Sequence, residues 1–342
     1  MERAEAKVCY DFVNAKVRGM RSKLYEGPRL LALAQAGTLP EIFHGVYPAE
    51  TFSGYLQFER KLAEDHVRDL KLVSGYLSGA LGELFAWLLV GYQVENAKVA
   101  LRLHWAGGDR RAAEEQMIAP TRALTERLDK LLQAPTLAAF AQAMPVPELR
   151  DALLRAAGAT PVADSGPPPT ALFDMALDSA YLRKLVRLAS PFDGWIRRLT
   201  AFDVDGRNVL LLLRARFGYD RPLDEVRPFL TPGGVYFRQH EADRLAAAPG
   251  LGEALAFVEE RFLPPDLRRS SAGLPELEDA LQRQQYRLAV HGFAESVIAE
   301  PLVVAFFYIK RAELANLVRL TESLRHGLSR DEIGRELLVL ER

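Results

Sequence analysis

Near the end of the chain, residues 313–316 are Glu-Leu-Ala-Asn, in which a polar residue precedes an asparagine by three positions. The same pairing occurs twice earlier in the chain, as Gln93 with Asn96 and as Asp205 with Asn208. A glycine follows each asparagine after ten or eleven positions: Gly107, Gly218 and Gly327. Because these recurrences keep their order, the sequence predicts three diverged copies of a unit of roughly a hundred residues.

Two further patterns recur in the same order and favour three copies. In one, a leucine, an alanine and a leucine are spaced three residues apart: Leu33, Ala36 and Leu39, then Leu131, Ala134 and Leu137, then Leu245, Ala248 and Leu251. The other begins at Phe58, returns at Phe173 and returns more loosely at Leu277, with apolar residues at helical spacing. A triplicated helical body is typical of an architectural part built around an axis, not of a protein with one active-site cleft.

Helix-forming residues dominate the chain, and few segments show the alternation that is typical of a strand. Helix starts are predicted near Thr38, at Asp224 and at Ser329, where Glu332 completes a capping box. We therefore expect an all-α protein made of three similar helical bundles.

Breaks in the helical pattern set the predicted boundaries of the copies. The first copy covers residues 1–110, the second covers 111–222 and the third covers 223–342, so that each boundary follows one of the recurrent glycines. A proline-rich segment, residues 159–170, interrupts the second copy. We interpret this segment as an insertion, either a loop or a stiff connection, and not as a domain boundary.

The composition excludes several classes of protein. The net charge of −1 supplies no bulk attraction to nucleic acid or anionic lipid, so we expect no nucleic-acid partner. The single cysteine, Cys9, excludes an intramolecular disulfide framework and a multi-cysteine zinc site. The most apolar stretches, residues 84–92 and 301–309, are shorter than the roughly 20 residues of a membrane-spanning helix. The polar start shows no signal peptide, and we expect a soluble, intracellular protein.

The sequence also lacks the motifs of catalysis and metal binding. It has no glycine-rich phosphate-binding loop, and Arg244 stands where a zinc protease would place its second histidine after His240. Asp203 and Asp205 fail the spacing of a calcium loop, so we interpret them as caps of a helix N-terminus. We therefore expect no catalytic residue, no cofactor site and no metal site.

The recurrence of asparagine within helices requires an explanation, because asparagine in a helix interior is less favourable for helix formation than alanine by about 0.5 kcal/mol. In one interpretation, each asparagine caps or bridges neighbouring helices inside its own copy. In the other, the three copies direct equivalent polar groups toward a shared axis where a partner binds. Arg102, Arg214 and Arg319 lie on the same helices and would line such a surface, although solvated helix faces also account for them.

Residues 308–324, followed by a Gly-Leu turn, resemble the signature near the end of the C subunit of V-type ATPases, the bacterial and archaeal counterpart of the eukaryotic d subunit. The family pattern there is a lysine, then Glu-x-x-Asn and an aliphatic-rich helix, matched by Lys310, Glu313 and Asn316. Residues 17–24 are similar to the family's opening helix. Further similarities are a Leu-Asp-x-x-Tyr element and a Pro-Gly-Gly turn, at residues 177–181 and 232–234.

The resemblance implies a non-catalytic rotor component that is all-α, funnel-shaped and pseudo-threefold. It implies a peripheral position on the cytoplasmic face of the cell membrane, with the proteolipid ring and the central shaft subunits as partners. The shaft subunits would enter the cavity of the funnel. We expect the following residues at or near the cavity: Asn96, Arg102, Asn208, Arg214, Lys310, Glu313, Asn316 and Arg319.

Two other classes of function stay open at this point. One is a soluble helical-repeat scaffold whose concave groove binds peptides of unrelated partners. The other is an all-α enzyme, which would need a pocket with convergent acids or histidines.

Overall fold

The computed structural model describes residues 2–159, 170–268 and 273–340, with side chains for residues 11–158, 170–268 and 273–340. All regular secondary structure in these ranges is helical, which confirms the all-α prediction. The predicted insertion at residues 159–170 lies almost entirely outside the described residues. None of the described helices combines the length and the apolar character that crossing a bilayer requires.

The described ranges contain helices of very different length. They are α1 Glu2–Arg21, α2 Gly27–Leu33, α3 Leu39–Val46, α4 Tyr55–Ser74, α5 Gly79–Ala106, α6 Arg110–Gln116, α7 Arg122–Thr125, α8 Leu128–Leu132, α9 Leu137–Ala143, α10 Pro147–Ala159, α11 Thr170–Ala189, α12 Gly194–Leu213, α13 Leu223–Val226, α14 Gln239–Ala246, α15 Leu251–Phe262, α16 Leu274–Glu295, α17 Ala299–Arg325 and α18 Arg330–Glu336. A π-helical turn, Arg214–Gly218, extends α12.

The leucine-alanine-leucine pattern marks the same local structure at all three places. The first leucine lies in the last turn of a short helix (α2, α8 or α14), and the third leucine begins the next helix (α3, α9 or α15). The residues before these helices are all extended, with φ values of −142° at Thr38, −144° at Thr136 and −156° at Gly250. Each occurrence is therefore a tight turn between two short helices.

Two long helices follow each of these turns. The pairs are α4 with α5, α11 with α12, and α16 with α17, and their connections are residues 75–78, 190–193 and 296–298. Gly79 and Gly194 begin the second helix of the first two pairs with φ values of 58° and 59°, a left-handed conformation that favours glycine. The recurrent asparagines all lie on the second helix of a pair.

The predicted helix starts agree with the structure except at one place. Thr38 is the N-cap of α3, Ser329 and Glu332 form a capping box before α18, and α13 begins one residue before Asp224. The interpretation of Asp203 and Asp205 as N-terminal caps is wrong, because both lie inside α12, which begins at Gly194.

The chain divides into two compact units, each formed by more than one segment. Unit 1 comprises Met1–Leu81, Phe192–Asp203 and Pro249–Arg342, and unit 2 comprises Gly82–Pro191 and Val204–Ala248. Unit 1 contains a core cluster from α2, α3, α4, α17 and α18, which includes Leu30, Ile42, Phe58, Leu317, Leu320 and Ile333.

In unit 2, α5 packs against α11 through a stacked pair of aromatic rings. The ring centroids of Trp87 and Tyr181 are 5.9 Å apart, and the indole N–H of Trp87 donates to the carbonyl oxygen of Tyr181 at 2.9 Å.

Candidate partner interface

The three recurrent asparagines make the same pair of hydrogen bonds. Each side-chain amide donates to the carbonyl oxygen of one later residue and accepts from the N–H of that same residue. The pairs, 22 or 23 positions apart, are Asn96 with Ile118, Asn208 with Thr231, and Asn316 with Leu338. The six N···O distances lie between 2.6 and 3.2 Å. We call this pair of bonds an asparagine clamp.

Each asparagine clamp fastens a segment outside the α-helices to a long helix. Ile118 lies between α6 and α7, Thr231 lies between α13 and α14, and Leu338 follows α18. The asparagine side chains are at most 2% exposed, so both polar groups of each held residue are satisfied without water. With the predicted boundaries at residues 110 and 222, the first two clamps join one copy to the next, and only Asn316 bonds within its own copy. In all three cases the asparagine bridges segments of this chain.

The polar residue three positions before each asparagine also binds the main chain. The Gln93 side-chain oxygen accepts from the N–H of Thr121 at 3.1 Å, in the loop that the neighbouring asparagine holds. The Asp205 carboxylate accepts from two consecutive N–H groups of the next held loop, at 2.8 and 2.7 Å. In the third case, the Glu313 carboxylate accepts from the N–H of Tyr25, between α1 and α2, at 2.8 Å.

Asp205 is the most tightly enclosed of these groups. Its two donors are the N–H groups of Val235 and Tyr236, and its side chain is fully buried. Burial raises the pKa of Asp205 from 3.8 to about 6, against the opposing effect of the N–H donors. Gly234 packs so closely on this carboxylate that a Cβ atom at position 234 would lie 1.4 Å from its Oδ1 atom.

The raised pKa of Asp205 predicts a pH dependence of stability. The folded protein holds the Asp205 proton more tightly than the unfolded chain does. The free energy of unfolding should therefore fall by up to about 3 kcal/mol as the pH rises from about 4 to about 6, and level off above that. Asp205→Asn should remove this contribution, which is measured as the difference between urea unfolding curves of the two proteins across pH. A difference that does not change with pH would contradict the expected titration.

Lys310 and Glu313 form a buried ion pair within unit 1. The Lys310 ammonium lies 2.9 Å from a Glu313 oxygen and 3.0 Å from an oxygen of Asp69 on α4, and Lys310 and Glu313 are less than 10% exposed. Burial lowers the pKa of Lys310, but the two carboxylates outweigh this effect and hold it above its usual value. Lys310 is therefore charged and fastens α17 to α4.

The three arginines among the predicted interface residues have different surroundings. Arg319 is partly buried and donates to the carbonyl oxygen of Glu336 at 2.8 Å and to the side chain of Gln282 at 2.8 Å. The Arg102 side chain is 54% exposed and lies 3.9 Å from a carboxylate oxygen of Asp174. Arg214 is also exposed, at the start of the π-helical turn.

The structure therefore separates the eight predicted interface residues by accessibility. Arg102 and Arg214 present side chains to solvent, while five of the others are buried. The residues that the sequence did not reveal are those held by the clamps. Their main-chain atoms make the bonds, so their side chains carry no pattern, and only the interval of 22 or 23 positions marks them.

No set of three or more His, Cys, Asp or Glu side chains in the described part of the chain is arranged to hold a metal ion.

Comparison with known proteins agrees with the resemblance seen in the sequence. Residues 13–336 match the model of the family described as ATP synthase (C/AC39) subunit. One similar protein is the C subunit of the A-type ATP synthase of Archaeoglobus fulgidus, which is 24% identical over 183 residues. That alignment covers 53% of each protein, so the chain spans about half the length of this relative. Because the family match extends over most of the sequence, the chain belongs to the ATP synthase (C/AC39) subunit family.

Proposed function

We propose that this protein is a non-catalytic central-stalk subunit of an A/V-type ATP synthase or ATPase. In this role it is a socket that couples the central shaft to the membrane proteolipid ring, on the cytoplasmic face of the cell membrane. Torque then passes through it between ATP chemistry and the transport of protons or sodium ions. The observation that carries the proposal is the family match over residues 13–336.

A socket of this kind must be stiff, because a soft connection would lose rotation as internal deformation. Close-packed interiors have low compressibility and transmit strain. The salt bridge of Lys310 with Asp69 joins α17 to α4 within unit 1, and the asparagine clamps fasten loops to the long helices. These contacts support a role in transmitting force.

We also propose that the chain consists of three diverged copies with pseudo-threefold symmetry and a funnel shape. The supporting observations are local. The turn between two short helices, the pair of long helices and the asparagine clamp each occur three times and in the same order. A near-threefold socket suits the task of joining an asymmetric shaft to a ring of identical subunits.

The eight predicted residues would serve the interface in different ways, depending on whether their side chains are exposed or buried. Arg102 and Arg214 have side chains that can touch a partner directly. The buried residues, such as Asn208 and Glu313, would hold the helices that face the partner, while their own polar atoms bond inside the chain.

Affinity purification from the source cell tests the proposed function. The full chain carries a tag, membranes are solubilised gently, and copurifying proteins are identified by mass spectrometry. We expect shaft subunits and the ring proteolipid. Recovery of unrelated partners would favour the helical-repeat scaffold instead, and recovery of neither class would contradict the proposal.

Charge-reversal variants extend the same experiment to the interface. Arg102→Glu and Arg214→Glu should each lower the recovery of shaft subunits at least about fivefold. The introduced glutamate would repel the acidic groups on the partner that these arginines are expected to meet. Arg111→Glu is the matched control, since the Arg111 side chain is 86% exposed on α6 and was not predicted to face a partner. Equal recovery with all three variants would remove Arg102 and Arg214 from the interface.

A further inference from the structure

Unit 1 has an open depression where α1 ends and α2 begins. Its lining includes three guanidinium groups, those of Arg18, Arg21 and Arg29, together with the Glu26 carboxylate and the ring of Phe293 from α16. None of these residues is among the eight predicted interface residues, and the clamps do not involve them.

The depression carries excess positive charge. Glu26 is already occupied, because Arg21 donates to both of its carboxylate oxygens at 3.1 Å and the Tyr286 hydroxyl donates to it at 2.9 Å. The hydrogen bonds of Arg18 and Arg29 go to neutral acceptors, which are an amide side chain and main-chain carbonyl oxygens. Among the carboxylate side chains that the structure describes, none lies within ion-pair distance of either of these two guanidinium groups.

Aromatic rings hold the guanidinium groups in place. The guanidinium carbon of Arg21 lies 4.4 Å from the ring centroid of Phe293, and that of Arg18 lies 5.4 Å from it. The Arg29 guanidinium lies 4.2 Å from the ring centroid of Tyr25. Stacked arginines lose little conformational freedom when they bind, and their planar fork matches the two oxygens of a carboxylate. The guanidinium groups are therefore preorganised to bind an anionic group.

We propose that this depression docks an acidic segment of a partner protein, with carboxylates bound by Arg18 and Arg29. The inference rests on the proposed function, which makes the partner another subunit of the rotary ATPase. A protein segment suits the site better than a compact phosphate, because the Glu26 carboxylate would repel a concentrated charge. Pro28 adds exposed apolar surface beside the cations, which suits a segment with mixed acidic and apolar side chains.

The test uses tagged full-length chains purified from the source cell with their partners. Arg29→Glu reverses the charge at an exposed position, Arg29→Lys keeps it, and Arg60→Glu is the control on an exposed residue of unit 1 outside the depression. The retained ATPase subunits are quantified at increasing salt. Melting temperatures establish that each variant folds. Vesicles of phosphatidylcholine with and without phosphatidylglycerol test binding to anionic lipid.

We expect Arg29→Glu to retain about tenfold less of at least one ATPase subunit and Arg60→Glu to stay near the unmodified protein. Arg29→Lys, which keeps the charge but loses the planar fork, should lie between them. Retention by the unmodified protein should fall between about 50 and 300 mM NaCl, because salt screens exposed charges. Equal retention by Arg29→Glu and the unmodified protein would overturn the docking site and leave the proposed function standing. If the unmodified protein binds vesicles that contain phosphatidylglycerol and Arg29→Glu abolishes this binding, the ligand of the depression is a lipid headgroup. That result would overturn the proposed docking of a protein segment. If the unmodified protein retains no ATPase subunit, the proposed function fails and the docking site with it.

Discussion

Replacing Asn208 with alanine should lower the free energy of unfolding by about 2–4 kcal/mol. The substitution removes both hydrogen bonds of an asparagine clamp and leaves the N–H and the carbonyl oxygen of Thr231 buried without these partners. Each unsatisfied buried group costs about 1–3 kcal/mol. Asn96→Ala and Asn316→Ala should have losses of similar size, because their clamps have the same geometry. Urea unfolding followed by circular dichroism measures the change.

The chain supplies a matched control for this prediction. It has four asparagines, and the fourth, Asn14, is partly exposed and bonds to the carbonyl oxygen of Val297 with its amide. Asn14→Ala should cost less than about 1 kcal/mol, because water replaces the lost bonds. A loss at Asn208 no larger than the loss at Asn14 would show that the clamp does not hold the loop. Weaker partner binding at unchanged stability would favour the interpretation in which the asparagines face a shared axis.

Gly234→Ala should destabilise the protein by at least about 3 kcal/mol, because it forces extra volume into a site that is already full. The added Cβ atom would lie 1.4 Å from Oδ1 and 2.2 Å from Cγ of Asp205. Asp205 cannot move aside freely, since its carboxylate accepts from the N–H groups of Val235 and Tyr236. Either the loop or α12 must shift. Thermal unfolding and limited proteolysis of the loop measure the effect.

Two further variants separate the clash from a general effect of alanine. Gly252 lies in α15, and a Cβ atom added there would meet nothing within 4 Å beyond its own stretch of helix. Gly252→Ala should therefore be neutral or stabilising by up to about 1 kcal/mol. In an Asp205→Ala background, Gly234→Ala should cost less than in the unmodified protein, because the clashing carboxylate is gone. If Gly234→Ala lowers the free energy of unfolding equally in both backgrounds, the destabilisation does not come from contact with Asp205.

The sequence predicted the helical class and the recurring local structures because those depend on neighbouring residues. The capping box at Ser329 is set by residues within one turn, and the leucine spacing marks where short helices end and begin. Family membership was also evident from the order of short patterns. These are features that a linear run of residues carries by itself.

The sequence could not predict contacts that join distant segments. Asp205 has the polar character of a cap, but its partners are main-chain N–H groups 30 and 31 positions away. Lys310 has the character of a surface residue, and it is buried because Asp69 of α4 and Glu313 both neutralise it. The arginine depression combines α1, the start of α2 and α16, so no local pattern announces it.

The asparagine clamp also affects how freely the sequence can vary. Isoleucine, threonine and leucine occupy the three held positions, because the bonds reach only their main-chain atoms. Almost any residue except proline, which lacks the N–H, can be held in this way. Mutation can thus rewrite the held loops while a single side chain on each long helix keeps them in place. If the chain consists of three diverged copies, as proposed, this tolerance would account for their keeping an asparagine while losing most other likeness to one another.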